Sequence, residues 1–139
     1  MKLFAAALLP AVRTMGTAVA APLTITVDNI RSAKGEIRLS LYASPTEWPD
    51  NSTKDHDFAA KAQYGQVVFR LDVAPGTYAI NGFHDENANG KFDTNFLGIP
   101  EEGYFFSNNV RPFLSAPAFE AAKFAVPPEG SAMTVRVIY

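Results

Sequence analysis

Four segments of this chain alternate apolar and polar residues with period two, and that pattern constrains the fold more than any other feature. "LTITVDNI" sets Leu23, Ile25 and Val27 on one side, and "EIRLSLY" does the same with Ile37, Leu39 and Leu41. "QVVFRLDV" aligns Val67, Phe69, Leu71 and Val73, and the C-terminal "MTVRVIY" aligns Met133, Val135, Val137 and Tyr139. Successive strand residues point to opposite faces, so each segment reads as a strand with one face buried. "RSAKGE", with Gly35, reads as a hairpin turn between the first two strands. Pro75-Gly76 reads as a tight turn into a strand through Tyr78, Ile80 and Gly82, which ends there. Phe124 to Val126 adds a short strand before "PPEG". About seven short strands and no long helical pattern predict an all-β chain, an antiparallel β-sandwich. The helical pieces expected are short: "DHDFAAKAQ" and "APAFEAAK".

The N-terminus bears on compartment. Lys2, an apolar run from Leu3 to Val12 and the triplet Ala18-Val19-Ala20 follow the order of a secretory signal peptide: charged head, apolar core, small-residue cleavage site. The run is about half the ~20 residues of a membrane span, and Arg13 closes it. Residues 1–20 are therefore expected to be removed, with no transmembrane anchor, leaving 21–139 as a single periplasmic or secreted domain. The alternative is a plain N-terminal tail. The chain has no cysteine, so an exported domain of this kind rests on packing, a metal or assembly. Loss of Lys2 and Arg13 takes the net charge from −2 to −4. Nucleic acid, which calls for clustered Lys and Arg, is not an expected partner; a cation is.

One stretch departs from the strand pattern. In Asp85-Glu86-Asn87-Ala88-Asn89-Gly90-Lys91-Phe92-Asp93, oxygen-bearing side chains recur at relative positions 1, 3, 5 and 9, with glycine at 6. That is the spacing of the first nine positions of an EF-hand-type calcium loop, with Lys91 at the position that gives a backbone carbonyl. Asp85, Asn87, Asn89, Lys91 and Asp93 are thus candidate Ca2+ ligands. Position 12 is Phe96, which cannot coordinate, so Glu101 or Glu102 or water would have to complete the shell. The competing reading is an Asx-turn loop bonded to itself without metal.

Further on, Tyr104, Phe105, Ser107, Asn108 and Asn109 are candidate ligand-binding residues, aromatic faces beside amide groups suited to a glycan or peptide. Against this stands a satellite core in which Phe92, Phe96, Leu97, Phe106 and Phe113 anchor the long loop. A small hydrolase using His84 as base and Ser107 as nucleophile is the alternative to a noncatalytic binding or envelope-associated module. Neighbouring strand residues face apart, so His84 and Asp85 do not orient one another.

The strand, Pro-Gly turn and strand beginning Thr77-Tyr78 resembles a unit of prealbumin-like and immunoglobulin-like sandwiches. More widely, "FHDENANGKFDTNFLGIPEEGYFFSNNVRP" followed by "PAFEAAKF" resembles a bacterial family of small exported proteins, domain of unknown function two-one-four-one. The likeness spans most of residues 21–139 and is strongest from Tyr78 to Phe124. Family members commonly carry a glycine where this chain has Phe105. The resemblance implies a β-sandwich and export, and it implies no reaction.

Overall fold

The computed structural model describes residues 19–53 and 56–139; the signal-peptide reading of residues 1–20 falls almost wholly outside them. Eight strands follow in order: β1 (Ala21–Ile30), β2 (Glu36–Tyr42), β3 (Asp57–Lys61), β4 (Gly65–Val73), β5 (Gly76–Asp85), β6 (Tyr104–Phe106), β7 (Phe124–Val126) and β8 (Ser131–Arg136). A 3-10 turn, Ser107–Asn109, follows β6, and a single turn of helix, α1 (Phe119–Ala122), precedes β7. The strands form two sheets. One has the order β4-β1-β8; the other runs β3-β2-β5-β6, with β7 also pairing β5. The all-β, two-sheet sandwich expected from the alternation is what the chain adopts.

The period-two residues make the core. Leu23, Ile25 and Val27 of β1 and Val67 and Phe69 of β4 face Ile37, Leu39, Leu41, Ile80 and Phe105 across the sandwich. Each such side chain, fully withdrawn from water, contributes roughly 1.5–3 kcal/mol. Asn29 adopts φ 64° and shifts the register between Val27 and Ile30, so that Ile30 rather than residue 29 turns inward. This bulge is stapled by Asn29 Nδ2 donating to Val137 O at 2.9 Å.

Local expectations needed correction where tertiary pairing outweighs local pattern. "RSAKGE" joins strands of different sheets and is a crossover, not a hairpin; so is Pro75-Gly76, between β4 and β5. Tyr78 secures the second crossover by donating its hydroxyl to Ala74 O at 2.6 Å. Pairing is not antiparallel throughout, since β1 and β8 run parallel. "DHDFAAKAQ" contributes a strand in place of the expected helix: its alanines suit a helix, yet Phe58 and Ala60 reach the core only from an edge strand on β2. The helix in "APAFEAAK" is present as α1. Strand β5 does not end at Gly82 but continues to Asp85, beside Glu36 of β2. No helix among the described residues is long and apolar enough to cross a membrane.

Candidate functional site

The outward positions of β2, β5 and β6 ought to be polar if the larger sheet faced only water. They carry Ser40 and Tyr42, Asn81 and Phe83, and Tyr104 and Phe106. Two structures cover part of this face. On one side Trp48 packs on Tyr42, Phe106 and Phe119 at ring distances of 5.1, 6.0 and 6.3 Å, and donates its indole N–H to Pro117 O at 2.7 Å. On the other, the loop after β5 brings Phe92 against Phe83 at 5.4 Å and Tyr104 at 6.2 Å. Between them lies an open cleft of about 700 Å³, floored by the sheet and walled by segments 49–52, 97–100 and 112–116. That is the size of a small-molecule site.

The wall formed by the Asn/Asp loop holds itself together. Asp85 is fully buried, accepting from Asn89 N at 3.2 Å, Gly90 N at 2.8 Å and Arg38 Nε at 3.1 Å. Asn87 and Asn89 turn their amide N–H groups onto the Asp93 carboxylate at 2.7 and 2.9 Å. Those bonds hold the Asp93 carboxyl below its ordinary value. Lys91 N donates to Asn89 Oδ1 at 2.9 Å. Glu102 reaches back from the far end of the loop, taking Asp93 N at 2.8 Å and Glu86 N at 3.1 Å. Burial pushes the Glu102 carboxyl up, and the charges of Asp93 and Asp85 push it further, against the two backbone N–H bonds. Glu86 is pulled the other way: its own desolvation is outweighed by hydrogen bonds from Arg31 and Ser32.

These residues suit calcium by donor type, since all their ligand atoms are hard oxygens. Among the described residues, however, no three His, Asp or Glu side chains meet in metal-binding geometry. An ion would have to draw on the Asn87 and Asn89 amide oxygens, which requires those amides to turn away from Asp93, and on backbone carbonyls.

Beyond Asp93 the loop tip is ordered by a second Asx turn, with Asn95 Oδ1 accepting from Leu97 N and Ile99 N at 2.9 and 3.0 Å. Because polar bonds fix this turn, its apolar side chains are free to face outward. Phe96 is 95% exposed and Leu97 69%; Phe113, next to Pro112 and Leu114 of the opposite wall, is 85% exposed. The satellite-core reading thus holds for Phe106, and in part for Phe92, which packs on Phe83 and Tyr104 with 41% of its surface in water, but not for Phe96, Leu97 and Phe113.

The five residues suggested for ligand contact are not brought together. Tyr104 lines the cleft. Phe105 faces the opposite way, wholly buried in the core. Ser107 is also fully buried; it accepts from Ile80 N at 3.0 Å and donates to Ala122 O at 2.5 Å. Asn108 Nδ2 donates to Lys123 O at 2.9 Å, and Asn109 Oδ1 accepts from Arg136 N at 2.9 Å, so both tie neighbouring segments to the turn. Their φ angles, 59° and 52°, lie in the left-handed region that asparagine tolerates.

His84 is equally enclosed. Its Nε2 faces Lys34 O at 2.7 Å and its Nδ1 the Tyr139 hydroxyl at 2.8 Å. A carbonyl only accepts, so Nε2 carries a proton and donates to it, while Nδ1 shares its bond with the Tyr139 hydroxyl. Neither His84 nor Ser107 presents a free atom to a substrate. Of the cleft residues missed from sequence, Ser40, Tyr42, Asn81 and Phe83, the two aromatic ones carried a signal nonetheless: large rings at outward positions of strands otherwise in phase.

No curated protein and no solved structure matches the chain. The family described as an uncharacterized protein conserved in bacteria, DUF2141, matches residues 25–135, across both sheets and the cleft, and the chain belongs to that family.

Proposed function

We propose that this chain is a noncatalytic binding module of the bacterial envelope, exported by its N-terminal segment, whose ligand seats in the cleft on the outer face of the larger sheet. The observation carrying this reading is the cleft itself, a concavity floored by Asn81 and Phe83 and walled by aromatic rings where a solvated sheet face would be polar. The engaged state of His84 and Ser107 supports a role without covalent chemistry.

Calcium in the Asp85 to Asp93 loop is the second part of the proposal. The ion would offset the repulsion that Asp93 and Asp85 add to burial in raising the Glu102 carboxyl, and so hold the wall that carries Phe92.

The test is a library of glycans, short peptides and small organic molecules, screened against the isotope-labelled domain by amide chemical-shift mapping. Binding should move signals at Ser40, Asn81, Phe83 and Tyr104 together. Hits that consistently map elsewhere, or no hit at all, would remove the cleft as the functional site.

A further inference from the structure

The cleft is polarised, and its polarity narrows the ligand. The register of the larger sheet sets Asp57, Ser40, Asn81 and Phe106 side by side across β3, β2, β5 and β6. Directly opposed residues share a face, so this row runs from a carboxylate at one edge to an aromatic ring at the other. At the acidic end Ser40 and Ser52 both donate to Asp57 Oδ1, at 2.7 and 2.5 Å, and Asp50 stands exposed on the lining. At the aromatic end Tyr104 lies edge-on between Phe92 and Phe106. Leu97, Ile99 and Leu114 line the cleft with 69%, 55% and 96% of their surface in water.

Two charge observations decide between ligand classes. No Lys or Arg lines the cleft among the described residues. Arg38, one row along on the same face, is taken up by Glu36 at 2.9 Å and Asp85 at 3.1 Å. Carboxylate and phosphate ligands are held best by guanidinium and ammonium groups, and the lining among the described residues carries neither. Ring faces carry partial negative charge and attract cations, as do Asp50 and Asp57. A sugar would turn hydroxyl-bearing edges onto Leu97, Ile99 and Leu114; an apolar body would cover them.

Resting on the reading of the cleft as a ligand site, we infer that it takes a small cationic amphiphile. The apolar body lies along Tyr104 and Phe106 beneath Leu97 and Ile99, and the ammonium-type head sits at Asp50, with the Asp57 carboxylate behind Ser40 and Ser52 of the lining.

Three probes that share one hydrocarbon chain separate the possibilities: decyltrimethylammonium, decyl glucoside and decanoate, each kept below its aggregation concentration. Trp48, the single tryptophan, lies 6.0 Å from the Phe106 ring and reports binding by fluorescence, with amide shifts locating it. The ammonium probe should bind at least about tenfold tighter than decanoate, a gap of ~1.4 kcal/mol. Asp50→Asn should narrow that gap, and Leu97→Ser should weaken all three probes alike. Equal binding of the three, tighter decanoate, or a gap untouched by Asp50→Asn overturns the cationic assignment. If a library glycan or peptide seats in the cleft while no decyl probe binds, this inference falls and the cleft reading stands. If the probes bind but shift only signals away from the cleft, both fall.

Discussion

Phe105 lies across Gly82. The two are paired between β5 and β6, and a Cβ built on Gly82 would fall inside the van der Waals envelope of both the Phe105 ring and the Arg38 carbonyl oxygen. Gly82→Ala should therefore cost about 2–3 kcal/mol by overpacking. Because the Arg38 oxygen is backbone, adding Phe105→Leu should not restore stability. Urea unfolding of the single and double variants measures this; full rescue in the double variant would show that the ring alone sets the constraint.

Ser107→Ala leaves the Ile80 N–H buried and unpaired and removes a donor from Ala122 O. The expected loss is about 1–3 kcal/mol in stability. Any ester or amide turnover by the wild type should be unchanged by the substitution. A catalytic loss at unchanged stability would reinstate Ser107 as a nucleophile.

The carboxyls of the loop should titrate in opposite directions. Glu102 is raised by burial and by Asp93 and Asp85, so folding favours its protonation; its contribution is full below the ordinary value of 4.5 and is lost as pH rises through the folded value. Asp93 is lowered by Asn89 and Asn87, so its contribution is full above 3.8 and is lost as pH falls through the folded value. Carboxyl carbon NMR should place the Glu102 midpoint above 4.5 and that of Asp93 below 3.8. Asp93→Asn should lose less stability than wild type on acidification below 3.8. Coincident midpoints would contradict the network.

Calcium should raise the melting temperature of protein first shown to be metal-free. A site of Kd ~10⁻⁴ M, held at about 10 mM calcium, gains roughly 2.7 kcal/mol. For a domain of this length that is a shift of about 8–16 °C. Asp85→Ala with Asp93→Ala should abolish the increment whatever it does to the baseline. No shift in the wild type would leave the loop as a self-bonded structure only.

Much of this architecture was legible in the sequence because buried strand faces repeat every second residue: Leu23, Ile25 and Val27 could hardly point anywhere but inward. Pairing partners were less legible. Gly35 and Pro75-Gly76 permit a tight turn, but only the second sheet's demand for Ile37 and Ile80 decides that the chain crosses between sheets. Phe58 and Ala60 carry the same lesson, since their helical composition yields to an edge of β2. At the candidate site, the Asp85 to Asp93 spacing identified a closed loop without revealing that Arg38 caps Asp85. Ser107, Asn108 and Asn109 looked like ligand groups because polar side chains beside aromatics are ambiguous until their backbone partners are seen.

The parallel pairing of β1 with β8 sets a timetable. Leu23 bonds alongside Ser131, so the central strand of the smaller sheet gains its second neighbour only when synthesis has passed Ser131. At ~5–20 residues per second of synthesis, β1 spends roughly 5–20 s with that edge unclaimed. Until then β1 pairs with β4 alone, and the smaller sheet stays two-stranded with one edge open.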